Sequence, residues 1–320
     1  MSVRNPLPGD LAGVPFSVPA ARSAGVPRSR MRAGDLETPF RGVRRAVAPE
    51  QPETRDAAEL ARRSYDALVL DCISFLARER QPVVISHVTA ARLYGMPLPR
   101  HLENRRFLDV AAIDPAHAPQ GAGVIGHRLE AGSVSIRLLR GIPVPSPVDT
   151  WLQLGPLLGV DELILVGDFL VRRKRPFATL DELQDVVSGL RGKRGVRRLR
   201  GAMPDIRSGT DSPAETRTRL IIVRAGLPEP VIGYTVYDRN GFFVGTPDLA
   251  FVAERVALDY EGDIHRVDQA TFREDIERRE MFQDAGWRHI RVTGDHLARP
   301  GHLIDRVSSA LALAQRRPTR

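Results

Sequence analysis

The chain has 320 residues, 42% hydrophobic and 6% aromatic, which allows two or three domains with buried cores but disfavours a single-strand binder built on stacking platforms. Its one cysteine, Cys72, excludes an internal disulfide and a cysteine-rich zinc site. The formal net charge is +8, carried by 45 arginines and two lysines, Lys174 and Lys193. That bias is what GC-rich coding produces, yet the basic surface attracts polyanions whatever its origin.

The charge is unevenly spread. Residues 1–210 hold 31 basic and 22 acidic side chains, whereas 211–320 hold 16 and 17. Affinity for nucleic acid is therefore expected in the N-terminal two thirds, and carboxylates able to hold a cation in the last third. Residues 1–20 lack a continuous apolar core and no apolar run is long enough to span a bilayer, so a cytoplasmic protein is expected.

In chain order, residues 1–50 are rich in Pro, Gly and Arg. A short helix over Ser17–Gly25, a second opening at Val26-Pro27 and running to Arg32, and an extended Thr38–Arg44 follow the order of a small winged helix-turn-helix. Arg28, Arg30, Arg32 and Arg41 would then face DNA phosphates. A disordered basic tail is the alternative. An amphipathic helix is predicted over 57–80 and a strand at Val83–Ile85. Ser86 is placed to cap a helix through Tyr94, which makes His87 a residue of its first turn. Strands are predicted at Phe107–Ile113, Val124–Leu129 and Val134–Leu139, followed by helices at 148–154, 161–171, 179–190 and 194–202. The last of these is strongly basic.

The breaker-rich stretch from Pro204 to Asp211 predicts a domain boundary, giving segments 1–50, 51–205 and 206–320. Beyond it, Ser212 caps a helix through Ala225, with Glu215 in a capping-box position. Strands follow at Val231–Tyr237, Phe243–Val252 and Val256–Tyr260, the first two joined by an Asn240-Gly241 turn. A helix over about Asp268–Ala285, a strand at Trp287–Val292 and a helix at Leu303–Ala314 complete an αβββαβ core with a final helix. The expected class is α/β in this last domain, preceded by a mixed α+β region.

Acids sit at the strand ends of this domain. Asp248 and Asp259 fall on neighbouring strands, where their carboxylates can converge on one hard divalent cation; two solvated strand-end acids are the alternative. Glu261 shares a face with Asp259 and is either a second ligand, a residue that orients water, or an exposed acid. Glu215 is a capping acid, an outer ligand, or both. His265 is placed to protonate a leaving oxygen or contact phosphate, or is a surface histidine. Arg278 either pairs with Asp275 along its helix or orients a substrate phosphate.

The element order, with Thr246-Pro247-Asp248 on the second strand and Asp259-Tyr260-Glu261-Gly262-Asp263-Ile264-His265 on the third, resembles the PD-(D/E)XK nuclease superfamily. Residues 211–313 look like the very-short-patch-repair-endonuclease-like domain, also through Ser212-Pro213-Ala214-Glu215, Gly226-Leu227-Pro228, Arg273–Arg278 and Gly286–Val292. The resemblance implies a restriction-endonuclease-like fold, and Mg²⁺ or Mn²⁺ at Asp248 and Asp259 for hydrolysis of double-stranded DNA. Residues 1–205 resemble the AbiEi-type antitoxins, through Ala24-Gly25-Val26-Pro27-Arg28, Arg41-Gly42-Val43, Ser86–Ala91 and Gly141–Pro147. This second resemblance implies transcriptional regulation and a partner toxin. Two departures stand out. The C-terminal domain contains no lysine, with Glu261 in the place of the superfamily's usual one, and the third-strand acids are swapped relative to the commoner Glu, aromatic, Asp, Gly order. Asp is shorter than Glu by roughly 1.5 Å of reach. A non-catalytic regulator on a degenerate nuclease fold is thus the rival reading, and an interaction scaffold with no salt-dependent DNA affinity a third.

Overall fold

The computed structural model of the chain describes residues 5–78, 81–261 and 269–316, the side chains of 269–276 excepted. It is a mixed α/β protein with several small sheets and, among the described residues, twelve α-helices. Two compact units divide it, Met1–Leu157 and Leu158–Arg320. The boundary expected at 204–211 therefore lies inside the second unit. The helices before it belong with those after it, for a reason that burial of one aspartate makes plain below.

The first unit opens with β1 (Phe16–Ser17), α1 (Val18–Ser23), β2 (Leu36–Glu37) and β3 (Val43–Ala46), the strands forming a sheet in the order β1-β3-β2. Ser17 caps α1 through the Ala20 amide at 3.2 Å. The expected second helix is one 3₁₀ turn, Arg30–Arg32. Leu11, Phe16, Ala21, Val26 and Met31 form a small core under it. Arg30 is not available to phosphate: its guanidinium is bidentate to Asp35 at 3.0 and 2.8 Å and donates to the Asn5 carbonyl at 2.7 Å. Arg28, Arg32 and Arg41 remain exposed.

Next come α2 (Ala57–Leu76), β4 (Val83–Ile85), α3 (His87–Tyr94), α4 (Arg100–Glu103), β5 (Leu108–Ile113), β6 (Val124–Leu129), β7 (Ile136–Leu139), β8 (Ile142–Pro145) and α5 (Pro147–Leu154). β4 pairs antiparallel and β6 parallel with β5, whose inner residues join Phe75, Cys72 and Ile142 in the core. Strand β8 was not expected, because Pro143 and Pro145 lack the N–H a ladder needs. It pairs only with β7, in a two-stranded sheet where prolines are tolerated. His87 opens α3 at φ +47 and stacks on His127, the ring centroids 3.6 Å apart. His127 meets the buried Asp109 at 2.8 Å. Burial, chiefly, pushes the His87 imidazole down to about 4.

The second unit begins with α6 (Val160–Leu170), α7 (Leu180–Gly189) and α8 (Val196–Ala202), then α9 (Pro213–Arg224). Helix α6 is apolar on nearly every side and is buried accordingly. Its one buried charge, Asp168, ties it to α9. The carboxylate accepts Thr216 Oγ1 at 2.9 Å, Arg219 Nη2 at 3.1 Å and the Arg207 amide at 2.8 Å. A buried carboxylate is tolerable only when so satisfied.

Strands β9 (Val231–Ile232), β10 (Val236–Tyr237), β11 (Phe243–Gly245), β12 (Leu249–Phe251) and β13 (Val256–Tyr260) lead to α10 (Gln269–Asp284), β14 (Arg288–Val292), α11 (Gly294–Ala298) and α12 (Gly301–Gln315). The two long strands expected at 231–237 and 243–252 are each broken in two. Pro247 cannot donate to a ladder, so the chain leaves the β10-β11 ribbon and joins a second sheet at β12. That sheet runs β14-β13-β12-β9, with β13 interior as its unalternating Val256-Ala257-Leu258 predicts. One face packs Leu249, Leu258 and Ile290 against Ile222 of α9 and Leu303 and Val307 of α12. The other packs Ala250 and Ala257 against Phe282 of α10 and Trp287. Small residues there leave room for the Phe282 ring.

Candidate functional site: a carboxylate pair at the end of β12 and β13

β12 and β13 are antiparallel in a register that sets Leu249 opposite Leu258, so Asp248 and Asp259 meet where the ladder ends. Each carboxylate takes over a backbone bond of the other strand. The Asp248 amide donates to Asp259 Oδ1 at 2.9 Å, and the Tyr260 amide donates to Asp248 Oδ2 at 2.7 Å. The two expected site acids are brought together in this way, locked by the peptide as much as by each other.

Their electrostatics differ. Burial pushes the Asp248 carboxyl up to about 7, and the nearby Glu215 and Asp259 charges add to the rise against the Tyr260 amide and Arg278. For Asp259, burial also raises, but the His289 hydrogen bond, the Arg278 charge and the Asp248 amide outweigh it and hold the carboxyl below its ordinary value. His289 Nε2 lies 2.8 Å from Asp259 Oδ2 and Arg278 Nε 3.2 Å from the same oxygen. Arg278 Nη2 also donates to the Thr246 carbonyl at 3.1 Å, and its guanidinium lies over the Phe282 ring. Arg278 thus faces Asp259 and the Thr246 carbonyl.

Glu215, in the first turn of α9, is buried. Its amide is capped by Ser212 Oγ at 3.2 Å, while its Oε2 accepts the Asp211 amide at 2.9 Å, one residue before the capping-box position. It serves the helix end and lies within electrostatic range of Asp248. Glu261 pairs with Arg291. His265 lies outside the described residues, as does the Asp275 side chain.

The residues suit a hard divalent cation in charge and in availability. Glu215 is buried and Asp248 half-buried, and neither carboxylate has a cationic hydrogen-bond partner among the described residues. Asp259 is already neutralised by two protein cations or donors, and can join only through the remaining lone pairs of its oxygens. Among the described residues, no group of three or more His, Cys, Asp or Glu side chains converges as a ready-made metal cage. No helix among them is long and apolar enough to cross a membrane.

His289 was not anticipated. Period-two alternation offered a signal, since His289 shares its face of β14 with the core residue Trp287, but nothing local says that the ring would meet Asp259.

No family model matches the chain, and no solved structure matches it. It is similar to two uncharacterized proteins of Mycobacterium tuberculosis, from strains CDC 1551 and H37Rv, each 29% identical over 157 residues, or 45% of this chain. The chain spans 58% of the length of each relative. Their names state no activity.

Proposed function

We propose that the second unit is a PD-(D/E)XK-like, metal-dependent nuclease domain acting on double-stranded DNA, and that the first unit is an AbiEi-type, DNA-associated region with a partner toxin. The observation that carries the nuclease reading is the half-buried Asp248–Asp259 pair at a strand end, where burial first and the Glu215 charge second push the Asp248 carboxyl up to about 7. Carboxylates drawn together at a half-buried strand end are a form that cation sites take.

Mg²⁺ or Mn²⁺ would be held by Asp248 and Glu215, with Asp259 beside them. Such an ion supplies a Lewis acid for the phosphoryl oxygen and an acidified water. The chain's own residues do the rest. Asp259 orients Arg278 and fixes the Asp248 backbone. Arg278, its Nη1 unbonded among the described residues, presents positive charge to a phosphate oxygen, the role the absent lysine leaves open. Arg28, Arg32 and Arg41 add non-specific phosphate contacts.

One observation favours the regulator reading. Asp259 is internally neutralised by Arg278 and His289, as a retired metal ligand would be. The two readings part on one experiment: purified protein with supercoiled plasmid and Mn²⁺, beside Asp248→Asn. Nicking by wild type that the variant loses, with its fold intact, supports the nuclease. Wild-type protein that neither nicks DNA nor binds Mn²⁺ removes it in favour of the regulator.

A further inference from the structure

His289 lies at the edge of the apolar layer that holds Phe282 and Trp287. Its ring lies on Phe282, the centroids 5.1 Å apart and the planes 10° from parallel, and its side chain is 6% exposed. Its Nε2 faces Asp259 Oδ2 at 2.8 Å, while its buried Nδ1 has no hydrogen-bond partner among the described residues. An ionised Asp259 can only accept, so Nε2 carries a proton and donates it, and Nδ1 is left without a partner among the described residues. A leucine there would pack on Phe282 with no orphaned atom. The fold tolerates an unsatisfied nitrogen in order to keep one donor at one carboxylate oxygen.

That oxygen is the anchor of the acid site. Asp259 Oδ2 is gripped by His289 from β14 and Arg278 from α10, and Oδ1 then receives the Asp248 amide. The chain of contact runs from the core ring through Asp259 to the backbone of Asp248. Of the two grips, only His289 comes from a rigid interior position. Arg278 is 42% exposed, and its long side chain has rotamer freedom that the stacked imidazole lacks.

We propose that His289 is a positioning residue for the nuclease site: by clamping Asp259 from the core it sets the Asp248 carboxylate for cation binding without touching cation or substrate. This rests on the metal-dependent reading above. It follows the general behaviour of groups that orient metal ligands from behind, whose loss weakens metal affinity by about 10–100-fold.

The test uses the full chain with His289→Leu and His289→Gln. It measures thermal unfolding, Mn²⁺ affinity from the resonance signal of the free ion, and plasmid nicking. His289→Leu removes the orphaned nitrogen but also a donor to Asp259 Oδ2, so its melting temperature is expected to fall modestly. Its Mn²⁺ affinity is expected to fall by about 10–100-fold and nicking with it. Gln places an amide N–H near the position of the imidazole Nε2, so His289→Gln is expected to recover most of the affinity. A merely structural histidine would move stability and leave Mn²⁺ affinity alone. His289→Leu that binds Mn²⁺ like wild type overturns the positioning role and leaves the nuclease reading standing. Wild type that binds no Mn²⁺ overturns both. Should His289→Leu not fold, His289→Asn, whose shorter donor cannot reach Asp259 in the same way, replaces it. Gln near wild type with Asn weakened supports the proposal, and Gln and Asn behaving alike refutes it.

Discussion

Replacing Asp248 with Asn keeps the side chain's size and an acceptor for the Tyr260 amide, and removes a charge that the fold disfavours. Burial, with Glu215 nearby, raises this carboxyl from 3.8 to about 7. The folded value lies above the unfolded one. The contribution of Asp248 to stability is therefore complete below about pH 4 and is lost as pH rises through about 7. A rise of about three units at about 1.4 kcal/mol each sets the ceiling near 4 kcal/mol. In metal-free buffer, wild type is expected to lose up to about 4 kcal/mol relative to Asp248→Asn between about pH 4 and pH 8. Urea unfolding at a series of pH values measures it. The fluorescence of Trp287, in a Trp151→Phe background, reports on the second unit alone. Mn²⁺ at high pH is expected to restore wild type and to leave the variant unchanged, because the ion binds the folded anionic site. Parallel pH profiles for the two proteins would refute the reasoning, since they would mean that Asp248 titrates as an ordinary surface acid.

Other consequences can be checked separately. Asp168→Ala leaves Arg219, Thr216 and the Arg207 amide without their shared acceptor, which should cost about 3–5 kcal/mol and lower the thermal transition of the second unit by roughly 6–20 °C. A drop below about 2 °C on calorimetry would contradict a buried, satisfied carboxylate there. Cys72 lies within the first unit's core, and burial, chiefly, pushes its thiol up to about 12. A thiol reagent near neutral pH should therefore label it only after unfolding, and prompt stoichiometric labelling of the native protein would show that α2 does not pack as described.

Much of this molecule is legible from local pattern. The Ser212 cap, the uninterrupted apolar run of β13 and the Gly286 stop each depend on residues a few positions apart, so α9, β13 and the end of α10 stand close to where the sequence puts them. The pairing of Asp248 with Asp259 was also within reach, because a short turn of four residues, 252–255, joins their strands. What the tertiary structure alone decided involves partners distant in the chain. Pro247 split the strand expected at 243–252 between two sheets, since a missing N–H is harmless only where no neighbour asks for it, and Gly233, at φ +61, stands in the break of the one expected at 231–237. Strand β8 formed despite Pro143 and Pro145 because its sheet has no further strand to serve. The helices from 160 to 202 joined the second unit because Asp168 needed Arg219, 51 residues away, to be buried at all. Arg278 and His289 turned toward Asp259 from 19 and 30 residues downstream, and Arg30 was drawn to Asp35 and away from solvent phosphate. Periodicity tells a residue which face it occupies, and a buried charge finds its partner only when the whole core has closed around it.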